Sequence, residues 1–140
     1  MARHRFQDHL RAVPLFSRVD RHDLDVIDRA ITELTFPAGD VLMREGSSAR
    51  EMVIVVEGEL TVSRDGEEIA TIGPGGFAGE MGLLTDHMRT ATVSAKTDVR
   101  VLHIDARSFD HVLEEAPQIA VAMLPVVAGR VIDNSEHHTH

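Results

Sequence analysis

The sequence predicts a mainly β protein in which about eight short antiparallel strands form a small barrel or jelly roll, with helices before and after it. Two observations support this fold class. Between residues 34 and 105, short runs rich in Val, Ile and Thr alternate with glycine at close intervals, which is typical of antiparallel strands and turns. Outside this region, apolar residues recur at helical spacing. The 140 residues with 43% hydrophobic content suit one domain with a single core.

We divide the predicted single domain, residues 1–140, into four segments. Residues 1–33 form N-terminal helices and residues 34–105 form the barrel. Residues 106–134 form two C-terminal helices, and residues 135–140 form a polar tail.

Two short helices are predicted at the N-terminus. The first ends at Pro14 because proline disfavours helical backbone in the residue before it. The second begins after Asp20, a good N-cap residue. The apolar residues at helical spacing are Phe6, Leu10 and Val13 in the first, and Leu24, Ile27 and Ile31 in the second.

The strands differ in how many of their faces are apolar. Residues 52–56 are apolar on both faces, which predicts a central strand, whereas residues 60–63 alternate and predict one solvated face. Asp65-Gly66 is the strongest hairpin signal. The last two predicted strands are residues 92–95 and 99–104.

Two helices are predicted to follow the strands. Asp105 is a plausible N-cap for the first, and Pro117 ends it and suits the first turn of the next. The last helix, residues 119–132, is apolar along most of its length. Pro125 should kink it or cost about 3 kcal/mol, and Gly129 weakens it further.

The charge and hydropathy of the chain argue against nucleic-acid and membrane partners. The formal net charge is -9, and phosphate neutralisation requires a basic face. No apolar run reaches the roughly 18 residues that a membrane span needs, and the N-terminus lacks the apolar region of a signal peptide. We therefore expect a cytoplasmic domain without a DNA-binding module.

Metal and catalytic sites are not indicated. The chain has no cysteine, which excludes disulfides and thiolate metal sites. A cupin-type metal site needs several histidines on facing strands, and the predicted strands contain only His103. We expect no metal, no cofactor and no enzymatic activity, since no acid, base and nucleophile set can be placed in one pocket. The histidines of the polar tail, which we expect to be disordered or an adventitious metal site, are His137, His138 and His140.

Residues 73–92, which read GPGGFAGEMGLLTDHMRTAT, have the composition of a small anion-binding pocket. Gly79 permits a tight turn, and Glu80 begins a single helical turn whose free N–H groups can face a phosphate. The guanidinium of Arg89 can add a fork of charge-assisted hydrogen bonds to the same phosphate. A weak surface ion pair between Glu80 and Arg89 is the simpler alternative. The joint order and spacing of these features favour a ligand site.

This stretch resembles the phosphate-binding cassette of cyclic nucleotide-binding domains, in which F-G-E-(apolar)-A-L is followed, after a short loop, by R-(S/T/A)-A. The resemblance extends from Val13 to about Leu113 and is most specific in the cassette, residues 76–92. It implies an eight-stranded antiparallel β jelly roll (double-stranded β-helix). The implied ligand-binding residues are Gly79, Glu80, Met81, Gly82, Leu83, Arg89, Thr90 and Ala91.

The resemblance also implies a role for each part of the cassette. Arg89 would bind an equatorial phosphate oxygen, Glu80 the ribose 2′-hydroxyl, and the N–H groups around residues 81–83 the phosphate. Thr90 could donate to the phosphate or to a guanine, so its presence leaves cAMP and cGMP both open. The family resemblance alone makes cAMP the expected ligand and cGMP the second. Such a domain acts as a non-catalytic sensor.

Three positions depart from the family pattern. Gly82 stands where Ala or Ser is usual, Ala78 where an aromatic residue is usual, and Gly76 where Asp is common. We expect a looser turn and a lower affinity.

The output of the sensor is expected to involve the apolar C-terminal helix. It would pack over the pocket or against a second copy as a homodimer, and signal to an effector protein that the sequence does not identify. Completion of the core is the simpler role for this helix. The main alternative function is a protein-interaction module of the same fold that does not use a nucleotide, and an enzyme ranks third.

Overall fold

The structure, a computed structural model, describes residues 6–48, 50–84 and 89–137. These residues form two compact units: residues 31–106, which contain every described strand, and a helical unit made of the described residues before 31 and after 106. Within the described residues, no helix is long and apolar enough to cross a bilayer.

The helices lie close to where the sequence places them. The predicted cap at Asp20 is confirmed, since its Oδ1 accepts a 2.9 Å hydrogen bond from the N–H of Asp23. Ile31 was assigned to the second helix, which was wrong, because that helix ends at Asp28 and Ile31 is a buried residue that follows a turn. The helices are α1 (Gln7–Ala12), a 3₁₀ helix (Pro14–Phe16), α2 (Arg21–Asp28), α3 (Ala106–Glu115) and α4 (Gln118–His137).

Within the helical unit, α4 packs against the 3₁₀ helix Pro14–Phe16. A 2.9 Å hydrogen bond from Gln118 Nε2 to Asp23 Oδ1 connects α4 to α2. The rings of Phe16 and Phe109 pack at a centroid distance of 6.2 Å. In the first turns of α4, Ile119 and Met123 are buried.

The other side of α4 is exposed: Val121 and Leu124 are 67% and 62% exposed. Pro125 lies inside the helix, which continues to His137, five residues past the predicted end at residue 132. His137 was assigned to the polar tail, which was wrong, because it belongs to α4. The predicted tail histidines His138 and His140 lie outside the described residues.

The strands form two four-stranded sheets, ordered β1-β8-β3-β6 and β2-β7-β4-β5. Every paired strand is antiparallel, so the predicted eight-stranded antiparallel jelly roll is confirmed. Asp65 and Gly66 have φ of 54° and 81°, as a two-residue hairpin turn requires. The strands are β1 (Thr32–Phe36), β2 (Val41–Met43), β3 (Glu51–Glu57), β4 (Leu60–Arg64), β5 (Glu67–Ile72), β6 (Phe77–Ala78), β7 (Thr92–Ala95) and β8 (Val99–Asp105).

The core of the strand unit lies between the two sheets. Its buried members include Val53 and Val55 of β3, and Val99 and Val101 of β8. Side chains two residues apart on a strand share a face. Glu51 and His103 therefore continue the same inner faces, one at the start of β3 and the other near the end of β8.

Candidate functional site

The cassette turns at Gly79 and continues as a 3₁₀ helix, Glu80–Leu83. Gly79 has φ of +87°, and a Cβ there would lie 2.4 Å from the carbonyl oxygen of Glu51, so only glycine fits. The helical turn predicted from the sequence is present in the tighter 3₁₀ form. The N–H of Gly82 donates to the carbonyl of Gly79 at 2.8 Å, so this expected phosphate donor already has an internal acceptor.

The guanidinium of Arg89 lies directly against this turn. Its Nη2 donates to the main-chain carbonyl of Glu51 at 2.7 Å. A Cβ on Gly82 would lie 3.1 and 3.2 Å from Nη1 and Nη2. The absence of a side chain at Gly82, one of the departures from the family pattern, thus leaves the space in which the guanidinium lies.

The backbone of Arg89 is also hydrogen-bonded, on both its N–H and its carbonyl. Its N–H donates to the carbonyl of Ser47 at 2.8 Å, and its carbonyl accepts from the N–H of Gly46 at 2.8 Å. The loop between β2 and β3 therefore fixes the position from which the guanidinium reaches the cassette.

Arg89 is a half-buried cation with unused hydrogen-bonding capacity. Burial lowers the pKa of Arg89, and the nearby carboxylates of Glu51 and Glu80 partly offset this by favouring the charged form. Its Nε is buried and has no hydrogen-bond partner among the described residues. A desolvated charged donor without an acceptor is unfavourable, so the site is suited to an anion.

The structure brings four of the predicted site residues together: Gly79, Glu80, Gly82 and Arg89. Glu80 is 9% exposed and begins the 3₁₀ helix.

The other predicted residues have different surroundings. Leu83 is buried, and Ala91 packs against the core. Thr90 is exposed, and its carbonyl accepts a 2.9 Å bond from Arg64 Nε. Met81 is a backbone member of the 3₁₀ helix.

Arg50 was not identified from the sequence. Its Nε donates to the carbonyl of Gly82 at 3.2 Å and its Nη2 to that of Leu83 at 3.4 Å. These carbonyls belong to the last residues of the 3₁₀ helix, where acceptors lack intrahelical partners. Arg50 therefore ties the cassette to the start of β3. In the sequence, the only signal that could have pointed to Arg50 was the charged pair Arg50-Glu51 directly before an apolar strand.

Glu51 and His103 were not assigned to the site either. Glu51 Oε2 lies 3.0 Å from His103 Nε2. This hydrogen bond lowers the pKa of Glu51; burial opposes the shift, and the charges of His103 and Arg89 add to it, while Asp105 opposes it. Glu51 therefore contacts both residues: its carboxylate hydrogen-bonds His103, and its main-chain carbonyl accepts a hydrogen bond from Arg89. Among the described residues, no group of three or more potential metal ligands is present.

The backbone of Gly79 leads to a stability prediction. Gly79→Ala should lower the free energy of unfolding by about 1 to 3 kcal/mol, since it combines left-handed backbone with a clash against the Glu51 carbonyl. Gly39→Ala is the matched control: φ there is +96°, but a Cβ would meet nothing within 4 Å. Urea unfolding of both variants separates backbone strain from the clash. Equal losses would contradict the close packing of Gly79 against β3.

Comparisons with known proteins agree on one family. The model of the cyclic nucleotide-binding domain matches residues 33–116. A cyclic nucleotide-gated potassium channel of Mesorhizobium japonicum is 39% identical over 109 residues, which are 78% of this chain and 30% of the channel. The cAMP-dependent protein kinase regulatory subunit of Schizosaccharomyces pombe is 28% identical over 112 residues, 79% of this chain and 27% of the subunit.

A solved structure is similar over nearly the full length. The N-terminal domain of a transcriptional regulator from Streptomyces coelicolor A3(2) has a TM-score of 0.85 at 29% identity, covering 95% of this chain and 96% of that one. In contrast, the chain spans less than a third of the two curated relatives named above. The family match, which covers more than half of the chain, and the eight-stranded architecture together show that this chain belongs to the cyclic nucleotide-binding domain family.

Proposed function

We propose that this domain binds a 3′,5′-cyclic nucleotide as a non-catalytic sensor, with cAMP preferred over cGMP. The observation that carries the proposal is Arg89: a half-buried guanidinium lies against the cassette turn, and its buried Nε has no hydrogen-bond partner among the described residues. A cyclic phosphate diester carries one negative charge and acceptor oxygens. It would supply the acceptor that this donor lacks.

Glu80 complements the phosphate contact. An ionised carboxylate only accepts hydrogen bonds, and the single free ribose hydroxyl of a cyclic nucleotide is a donor. Because Glu80 lies close enough to Arg89 to influence its charge, one ligand could contact both groups. The preference for cAMP draws on the fission-yeast relative, which is described as a cAMP-dependent kinase subunit.

Calorimetric titration of the purified chain tests the proposal. We expect saturable binding of cAMP, weaker binding of cGMP, and little binding of 5′-AMP, whose phosphate carries a second negative charge and is not held in a ring. If neither cyclic nucleotide bound at millimolar concentration, the proposal would fail. The interaction-module alternative, which the exposed Val121 and Leu124 of α4 favour, would then take its place.

For the output, we propose that ligand binding changes the surroundings of α4, whose exposed apolar residues suit an effector protein or a second copy in a homodimer. Pro125 interrupts the hydrogen-bonding pattern within α4 and provides a weak point. A ligand can shift such an equilibrium only through its differential affinity for the two arrangements.

Hydrogen exchange is expected to report this change. Amides of residues 119–134 should alter their protection when cAMP saturates the domain, with the largest change on either side of Pro125. Amides of α2 provide the internal control. Unchanged protection throughout residues 119–134 under saturating ligand would assign α4 a purely structural role.

A further inference from the structure

The guanidinium of Arg89 lies in a narrow space between the cassette turn and the start of β3. On the β3 side, the main-chain carbonyl of Glu51 accepts a hydrogen bond from Arg89 Nη2 at 2.7 Å. On the cassette side, a Cβ on Gly79 would lie 2.9 Å from Arg89 Nη1, and a Cβ on Gly82 would lie 3.1 to 3.3 Å from guanidinium atoms. We call this space the arginine slot. Its width depends on how the turn is held relative to β3.

Arg50 connects the two sides of the arginine slot. In the chain it directly precedes Glu51, whose carbonyl forms the β3 side. Its side chain reaches the cassette side, where Nε donates to the carbonyl of Gly82 at 3.2 Å and Nη2 to that of Leu83 at 3.4 Å. Gly82 therefore contacts Arg50 through its carbonyl and borders Arg89 at its Cα. One arginine thus holds the glycine against which the other lies.

The main chain of Arg50 is anchored in the sheet, since its carbonyl accepts a 2.9 Å hydrogen bond from the N–H of Ala106. Before the turn, the cassette is attached to the same strand by the pairing of β6 with β3, in which Ala78 lies opposite Val53. At the end of the 3₁₀ helix, Arg50 supplies side-chain donors to the helix carbonyls. Leu83 is buried there. We therefore expect loss of the Arg50 side chain to shift the turn without unfolding the domain.

We propose that Arg50 is a positioning residue for the anion site: by holding Gly82 near the start of β3, it sets the width of the arginine slot and the orientation of the Arg89 guanidinium. The inference rests on the proposed function, because it gives Arg50 an effect on cAMP affinity that acts through Arg89. Arg50 itself does not contact the ligand. Its simpler role is to cap the 3₁₀ helix, which would affect stability alone.

The effect on affinity follows from the directionality of hydrogen bonds. Charge-assisted bonds from a guanidinium to a phosphate weaken steeply when the donor turns away from the acceptor. Without Arg50, the carbonyl of Gly82 loses its side-chain donors, and the guanidinium of Arg89 gains room for several orientations. Ligand binding must then select one of them, and this ordering lowers the affinity.

Arg50→Ala is expected to weaken cAMP binding by about three- to tenfold, the size of one net hydrogen bond. Arg50→Lys keeps the charge and a donor but lacks the planar fork, so its affinity should lie between those of the parent and Arg50→Ala. The matched control is Arg44→Ala, which removes an exposed guanidinium from the same β2–β3 loop. It should bind cAMP as the parent does.

A double-mutant cycle with Arg89 separates positioning from the simpler effects. If Arg50 acts through Arg89, Arg50→Ala should cause no further loss of affinity in the Arg89→Ala protein. A direct attraction between Arg50 and the phosphate, or a general loosening of the cassette, would persist in that background. The two losses would then be additive, which would overturn the inference and leave the proposed function in place.

A second measurement uses the free protein and needs no ligand. The Nε–H signal of Arg89 in NMR spectra is identified by its absence in Arg89→Ala. Arg50→Ala should shift this signal and accelerate exchange of its proton with water, whereas Arg44→Ala should leave both unchanged. If Arg50→Ala does not fold, Arg50→Lys serves in both tests.

The outcomes for the inference and for the proposed function are distinct. An Arg89 signal that is the same in the parent and in the Arg50 variant would overturn the inference, whatever the affinities. Failure of the parent to bind either cyclic nucleotide would overturn the proposed function. A shifted Arg89 signal would then still establish that Arg50 positions this guanidinium.

Discussion

Arg89→Ala is expected to weaken cAMP binding by at least one to two orders of magnitude. Losing a hydrogen bond to a charged group costs about 1.5 to 3 kcal/mol, and each 1.4 kcal/mol is about tenfold in affinity. The loss should exceed this range if the phosphate stays buried without a counter-charge. The free protein should remain folded, because the substitution also removes a desolvated cation with an unpartnered Nε. Calorimetric titration and circular dichroism measure the two effects.

Two further variants separate charge from geometry. Arg89→Lys keeps the positive charge but lacks the planar fork and the Nε donor, so its affinity should fall between those of the parent and Arg89→Ala. Arg29→Ala removes a surface guanidinium that pairs with Asp25 and Glu115, an intermediate and an exposed carboxylate of the helical unit. It should bind cAMP as the parent does. Parent-like affinity of Arg89→Ala would show that the anion site lies elsewhere.

Local sequence signals predicted much of the fold because they act over a few residues. The Asp65-Gly66 turn, the cap at Asp20 and the doubly apolar strand at residues 52–56 each depend on neighbours in the chain, and each is present. Boundaries were less accurate. The first strand begins at Thr32 rather than at residue 34, since the chain leaves α2 through a turn that the apolar periodicity does not mark.

The cassette could be recognised for a similar reason. Gly79, Glu80 and Arg89 occur within a short stretch, in an order and spacing that is itself informative. What the spacing could not predict is how the N–H groups of the turn are used. The Gly82 N–H is bonded to Gly79, a consequence of the 3₁₀ geometry that depends on backbone angles rather than on residue identity.

The supporting residues could not be predicted because their contacts are distant in sequence. Arg50 reaches the carbonyl of Gly82, 32 residues away, and the carbonyl of Glu51 receives Arg89 from 38 residues away. His103 was interpreted as an isolated strand histidine, whereas its partner Glu51 is 52 residues away. Such pairs depend on which distant segments of the chain meet in the fold, and local sequence signals do not identify those segments.

Glu80→Gln is expected to weaken cAMP binding by about one to two orders of magnitude, because the ribose hydroxyl loses a charged acceptor. The substitution also removes a negative charge that acts on Arg89, which should favour the phosphate and reduce the measured loss. The affinity of Glu80→Gln alone therefore underestimates the ribose contact. Glu114→Gln, at a side chain that is 76% exposed, controls for the change of net charge and should leave the affinity unchanged.

A double cycle with 2′-deoxy-cAMP isolates the ribose contact from the effect on Arg89. The deoxy ligand should bind weakly to the parent, because the buried carboxylate of Glu80 then lacks the hydroxyl donor. In Glu80→Gln, the loss of affinity from cAMP to 2′-deoxy-cAMP should be much smaller than in the parent, since the mutation has already removed the carboxylate that the hydroxyl would contact. A direct contact thus requires the combined loss to be smaller than the sum of the two single losses. Additive losses would mean that Glu80 acts on the phosphate site through Arg89 and does not bind the ribose.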